Sequence, residues 1–217
     1  MPTLFILEDN EIALRTLRRR IDSRWAVESA SSRSEALRLL GSARSWSGFL
    51  LDVGLGEDAY GGIGVLQTVR QWWPLVPAAL VTGTLEPLVI NQAAALGATM
   101  IAKPPGPNDL KLFMRHVQEC ALVAERAERL ADDACNQYRL TASERQLVWW
   151  MACGNSAVTF RPSLRGSPQV GARPVDAAVA SILAKAQVAS TEALLIQLEC
   201  QTPRRAVGSP RTSIGCP

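Results

Sequence analysis

An alternation of two periodicities constrains this chain more than any other feature of it. Five short apolar runs, TLFIL (3–7), WAVESA (25–30), GFLLDV (48–53), AALVTG (78–83) and TMIAKP (99–104), read as strands. Between them, NEIALRTLRRRIDS, SRSEALRLLGSA, GIGVLQTVRQWW and EPLVINQAAALG repeat apolar residues every three or four positions and read as helices. Strand alternating with helix predicts a doubly wound α/β architecture, a five-stranded parallel sheet with helices on both faces. The apolar strands agree with this, because a strand buried on both faces has no polar side to display.

The length of 217 residues exceeds one ordinary core, so a second, smaller unit is expected. From about Asn108 a long helical pattern, NDLKLFMRHVQECALVAERAERLADDACNQ, turns charge-rich and leaves the sheet domain. The expected division is 1–125 for the sheet domain, 126–139 for a helical linker, 140–200 for a small all-α domain, and 201–217 for a Pro/Gly/Ser-rich tail without order. The all-α segment opens at LTASERQLVWWMACGNS, where Thr141 and Glu144 stand in capping-box spacing.

Hydrophobic residues make up 47% of the chain and charged residues 20%, a globular balance, and no run approaches the ~20 apolar residues of a membrane helix. The opening MPTLFILEDN lacks the features of an export signal, so a cytoplasmic protein without a membrane partner is expected. Five cysteines, odd in number, widely spaced and without a C-x-x-C pair, argue against a disulfide framework or a zinc site. Residues 141–217 carry eight Lys/Arg against four Asp/Glu, a mild basic bias that permits a polyanion partner.

Polar groups gather where the strands end. The first strand is followed by Glu8 and Asp9, the third ends in Asp52, the fourth in Thr82, and the fifth runs into Lys103. In an open parallel sheet these carboxyl ends frame the ligand crevice. Crowded carboxylates repel one another unless a hard cation lies among them, and Mg²⁺ prefers oxygen ligands of this kind. With a metal and the Lys103 ammonium beside it, Asp52 can attack a phosphoryl group, and the Thr82 hydroxyl can bond the product. Each residue taken singly has an ordinary structural reading, as cap, turn or surface charge; the set at successive strand ends does not.

As a set, FILEDN, FLLDV, ALVTGT and AKP resemble the receiver domain of two-component response regulators over about residues 1–125. The resemblance implies a flavodoxin-like fold and a Mg²⁺ site at Glu8, Asp9, Asp52 and the Gly54 carbonyl. It implies Asp52 as phosphoacceptor from a histidine kinase or phosphotransfer protein, Thr82 and Lys103 on the phosphoryl group, and a phosphorylation-dependent homodimer. Beyond its own phosphoryl transfer the domain is not expected to be an enzyme. Two departures stand out: the loop GLGEDAYGGIG lacks the family's proline, and Met100 occupies the place of its aromatic switch residue.

LTASERQLVWWMACGNS is similar to the first helix of LuxR-type helix-turn-helix domains, with FRPSLRGS (160–167) and RPVDAAVASILAKAQVASTEALLIQL in the places of the later helices. That similarity implies promoter binding and transcriptional control, with Arg165, Arg173 and Lys185 as contacts and Val175, Val179, Ile182 and Leu183 facing the core. Pro162 and the nearly all-aliphatic recognition segment are poorly suited to this role. The alternatives are a degenerate output unit that binds protein, as a phosphate sink or adaptor, and a dedicated enzyme such as a phosphatase. The last lacks a general base, since the single histidine, His116, falls mid-helix.

Overall fold

The computed structural model describes residues 1–42, 45–56, 58–160 and 175–201. Five parallel strands form one sheet: β1 (Thr3–Leu7), β2 (Ala26–Ala30), β3 (Gly48–Asp52), β4 (Ala78–Thr82) and β5 (Thr99–Ala102), in the order β2-β1-β3-β4-β5. Four helices connect them: α1 (Glu11–Arg20), α2 (Arg33–Leu40), α3 (Gly61–Trp72) and α4 (Pro87–Ala95). All five expected strands are present, and the expected sheet class with them.

Side chains alternate across the sheet as the pleat requires. Phe5, Leu7, Phe49, Leu51 and Leu80 point to one face, where Leu40, Leu66, Val69 and Val89 of α2, α3 and α4 cover them. Leu4, Ile6, Leu50, Ala79 and Val81 point to the other face, against Leu17 of α1 and Leu110, Phe113 and Val117 of α5 (Pro107–Tyr138). The central strands β3 and β4 are buried throughout, whereas the edge strands β2 and β5 are not, which explains the polar Glu28 and Ser29 in the former. Burying one such leucine contributes about 1.5–3 kcal/mol, so these two layers supply most of what holds the sheet domain together.

Strand order reverses between β1 and β3, which opens the crevice at their carboxyl ends. The glycine pair at the start of α3 brings that helix directly onto the crevice wall. A Cβ on Gly62 would lie 1.8 Å from the backbone oxygen of Asp52, and the Gly62 N–H donates to the Val53 carbonyl at 3.0 Å. Only a residue without a side chain lets the helix close on the end of β3 at this distance.

The chain divides into two compact units at Ala124/Glu125. The second contains the C-terminal part of α5 together with α6 (Ala142–Ala152), a 3-10 turn (Ala157–Thr159), α7 (Val175–Ala186) and α8 (Thr191–Gln201). Of the helical linker expected at 126–139, the residues to Tyr138 belong to α5 and bury Ala127, Leu130, Ala131 and Ala134, so they also carry core. Tyr138 Oη accepts from Gln197, and Arg126 pairs with Glu199 at 2.5 Å. The capping box is present: Thr141 Oγ1 accepts from the Glu144 N–H, and the Glu144 carboxylate accepts from the Thr141 N–H. Trp150 is buried and Trp149 half-buried, as their adjacency on one helix requires. On α7 the buried residues are Ile182 and Ala186, whereas Val175, Val179 and Leu183 are half-buried, so the core stripe lies further along the helix than expected. Arg165, Arg173 and Pro162 lie outside the described residues, as does the tail expected at 201–217 apart from Gln201, which ends α8. Among the described residues no single helix is long and apolar enough to cross a membrane.

Candidate functional site

The site is built by strands that end at the same height. The β1–β3 register pairs Leu7 with Leu51, so Glu8 and Asp9 leave β1 beside Asp52. Each of the three carboxylates offers one oxygen, and these oxygens lie within 4.8 Å of one another. Glu8 is 2% exposed and Asp52 6%, whereas Asp9 reaches solvent. Asp9 is held from the opposite loop, where the Gly56 N–H donates to Oδ2 at 2.7 Å from a backbone with φ of +57°. Gly54 lies in the same loop, two residues after the end of β3.

Lys103 follows β5, and the parallel β4–β5 pairing carries its ammonium into the cluster. Nζ donates to Asp52 Oδ2 at 2.6 Å and lies 2.8 Å from Glu8 Oε2. The second contact is an ion pair without hydrogen-bond alignment, which leaves Glu8 Oε2 buried and without a hydrogen-bond partner. Burial pushes the Glu8 carboxyl above its ordinary range and the Asp52 charge adds to this, against the opposing Lys103 ammonium. For Lys103 burial works downward, but its bond to Asp52 and the negative charges of Asp52 and Glu8 prevail and raise it. The lysine therefore stays charged at neutral pH.

Thr82 is buried at the end of β4, where its hydroxyl donates to the Thr84 carbonyl at 3.0 Å and accepts from the Thr84 N–H at 3.1 Å. It is thus held by its own loop. The structure brings Glu8, Asp9, Asp52 and Lys103 into one cluster; Thr82 adjoins it through the Lys103 N–H, which donates to the Thr82 carbonyl at 2.7 Å.

Several contributors escape a reading of the sequence. Gly62 and Gly56 shape the crevice through backbone alone, and their only trace is the glycine-rich loop GLGEDAYGGIG. Tyr60 Oη donates to Glu86 Oε2 at 2.8 Å and so ties the loop after β3 to the loop after β4. Arg33 and Ser32, at the start of α2, line a cleft that runs up to Asp9. A tyrosine or arginine in an exposed loop carries no local pattern that would mark such a role.

Lys185 does not project freely from α7. Its Nζ donates to Glu144 Oε2 at 2.6 Å, and Ser181 Oγ donates to Glu144 Oε1 at 2.6 Å. Burial alone would raise the Glu144 carboxyl, but the bonds from Lys185, Ser181 and Thr141 hold it down at about 2.

No protein-family model matches the chain, and no curated protein matches it by sequence. Solved structures do match. The response regulator receiver domain protein (CheY-like) from Methanospirillum hungatei JF-1 aligns over 56% of this chain and 97% of its own, with 22% identity and a TM-score of 0.50. The signal receiver domain of a modulated diguanylate cyclase from Desulfovibrio desulfuricans G20 aligns over 56% and 98%, with 21% identity and a TM-score of 0.49. The signal receiver domain of an HD domain-containing protein from Pseudomonas fluorescens Pf-5 follows over 54% and 94%, with 23% identity and a TM-score of 0.48. The first carries the conclusion: the N-terminal unit has the fold of a response-regulator receiver domain.

Proposed function

We propose that the chain is a response regulator of a two-component phosphorelay, with Asp52 as the residue that takes a phosphoryl group from a histidine kinase or phosphotransfer protein. The observation that carries this reading is the buried cluster of Glu8, Asp52 and Lys103 with Asp9 at its mouth, on a sheet of receiver topology. The donor set is all oxygen, and three carboxylate oxygens gathered within 4.8 Å of one another carry more negative charge than the single Lys103 ammonium offsets, which fits a hard divalent cation. Glu8, Asp9, Asp52 and the Gly54 carbonyl would hold Mg²⁺. When bound, it would neutralise charge on the phosphoryl oxygens.

Asp52 supplies the attacking carboxylate oxygen, so an oxygen–phosphorus bond forms as the bond from phosphorus to the donor imidazole nitrogen breaks. Lys103 follows the developing charge, exchanging part of its contact with Asp52 for a phosphoryl oxygen. The Thr82 hydroxyl leaves its Thr84 partners to donate to the phosphoryl group, and so moves the loop after β4. Acetyl phosphate with Mg²⁺ should add one phosphoryl group by intact mass, and Asp52→Ala should abolish it. Labelling that persists in the variant refutes the assignment.

The output is assigned to the second unit, acting in the cytoplasm on transcription as a phosphorylation-dependent dimer on promoter DNA, with Arg165, Arg173 and Lys185 as contacts. One observation favours the other reading, an output unit that binds protein: Lys185 is already engaged by the buried Glu144. Retardation of promoter fragments by the phosphorylated chain at low salt separates the two, because DNA binding requires phosphate neutralisation and protein binding does not.

A further inference from the structure

Helix α5 carries a pair of soft metal ligands that the phosphoryl site does not use. His116 and Cys120 stand one helical turn apart, and the Cys120 Sγ lies 3.8 Å from both imidazole nitrogens. A zinc ion bonds sulfur at about 2.3 Å and nitrogen at about 2.0–2.1 Å, so a tetrahedral site holds the two donor atoms about 3.6 Å apart. The helix thus brings the two side chains to chelating range, and because Sγ is equidistant from the two nitrogens, the ring turns about χ2 to aim one of them at the shared ion. His116 is exposed, and the broad χ2 torsion of an imidazole lets either nitrogen turn toward an ion.

Two ligands fill only half of a tetrahedral shell. The surroundings indicate what completes it. Leu112, 52% exposed, and Val123, 47% exposed, lie on the same stripe of α5, within about 100° of arc at 100° per residue. The midpoint of Leu112 and Val123 falls between positions 117 and 118, that of His116 and Cys120 at 118, and that of the Arg115–Glu119 ion pair at 117. The stripe is therefore nearly palindromic in chemistry. An antiparallel copy of the same helix, related by a two-fold axis through this point, sets Leu112 against Val123, Arg115 against Glu119, and one His–Cys pair against the other.

We propose that His116 and Cys120 form a half-site for a zinc-class divalent ion, completed by the same two residues of a second copy of this chain. Coordination takes the Cys120 thiolate, its proton passing to solvent, and the neutral imidazole of His116. The apolar ends of the stripe are covered in the same event. The site is separate from the carboxylate cluster, whose oxygens suit Mg²⁺, so the inference stands independently of phosphoryl transfer.

The test uses the full chain, reduced and stripped of metal, in buffer with excess Mg²⁺, titrated with Zn²⁺ and in parallel with Co²⁺. Sedimentation equilibrium should show the mass doubling as one ion binds per two chains, and Co²⁺ should give the absorption of a tetrahedral thiolate site. Cys120→Ser and His116→Ala should each abolish both the doubling and the absorption, whereas Asp52→Ala should change neither. Doubling that survives Cys120→Ser overturns the assignment. Zinc bound with no change of mass overturns the two-copy site, and no zinc bound overturns it outright.

Discussion

Glu144 joins two helices of the second unit, and its ionisation should be visible in the stability of that unit. Its carboxylate accepts from the Thr141 N–H at 2.7 Å, from Ser181 Oγ at 2.6 Å and from Lys185 Nζ at 2.6 Å, so it closes the start of α6 and fastens α7 to it. A carboxyl held at about 2 instead of 4.5 is ionised in the folded state where the unfolded chain would already be protonated. At 1.36 kcal/mol per unit the difference corresponds to about 3 kcal/mol. The Lys185 side chain is 34% exposed, and solvent screening of that partner leaves a contribution of about 2 kcal/mol. The sign follows from the direction: a depressed folded value gives stability that is fully present above pH 4.5 and is lost as pH falls toward 2. Roughly three-fifths of it should be gone by pH 3.

Glu144→Gln keeps the shape of the side chain and removes the charge. Urea unfolding of wild type and variant should differ by about 2 kcal/mol at pH 7 and by less than half of that at pH 3, because only the wild type titrates at this position. Taking the difference cancels the other carboxylates of the chain. Added salt should narrow the gap at neutral pH through Lys185. A gap that stays constant from pH 7 to pH 3 would refute the reasoning, since it would mean that the Lys185 and Ser181 bonds do not depend on the charge.

Gly62→Ala places a Cβ 1.8 Å from the Asp52 oxygen; α3 must shift, costing about 1–3 kcal/mol, and labelling of Asp52 by acetyl phosphate should slow by more than the loss of stability explains. Leu50→Ala, at a position 1% exposed in the middle of β3, should cost about 2–5 kcal/mol in urea unfolding while leaving second-unit hydrogen exchange unchanged. Lys103→Ala should retain Mg²⁺ binding, followed by calorimetry, because the carboxylates remain. It should break the link between phosphorylation and any change in sedimentation, because no ammonium follows the new charge.

The sheet domain was legible because two periodicities encode it redundantly. A strand such as FLLD declares burial on both faces, and the helices between declare a single apolar stripe, so strand boundaries fell within a residue or two of those observed. Glu8, Asp9, Asp52 and Lys103 were legible for a different reason. Each stands at the residue where an apolar strand stops, and a parallel sheet fixes where strand ends meet. What remained hidden acts through the backbone or across the sequence. The Gly62 contact needs the fold before its purpose can be seen, and the Tyr60–Glu86 bond joins loops 26 residues apart.

The second unit was less legible, and the reason lies in its electrostatics. A lysine on a mostly aliphatic helix invites a nucleic-acid reading, because no acidic residue stands within six positions of it in the sequence. Its partner is Glu144, 41 residues earlier, at the position that also completes a capping box. That box explains why an acceptor is needed there, and a single carboxylate oxygen, Oε2, serves both the Thr141 N–H and the Lys185 ammonium. Glu144 is almost fully buried, so removing Lys185 would leave its charge poorly compensated, whereas a free DNA contact could be removed without such a cost. Lys185→Ala should therefore lower the stability of the second unit measurably in urea. A phosphate contact on the surface would leave it unchanged, and the same variant thus separates a structural lysine from a DNA-binding one before any DNA is added.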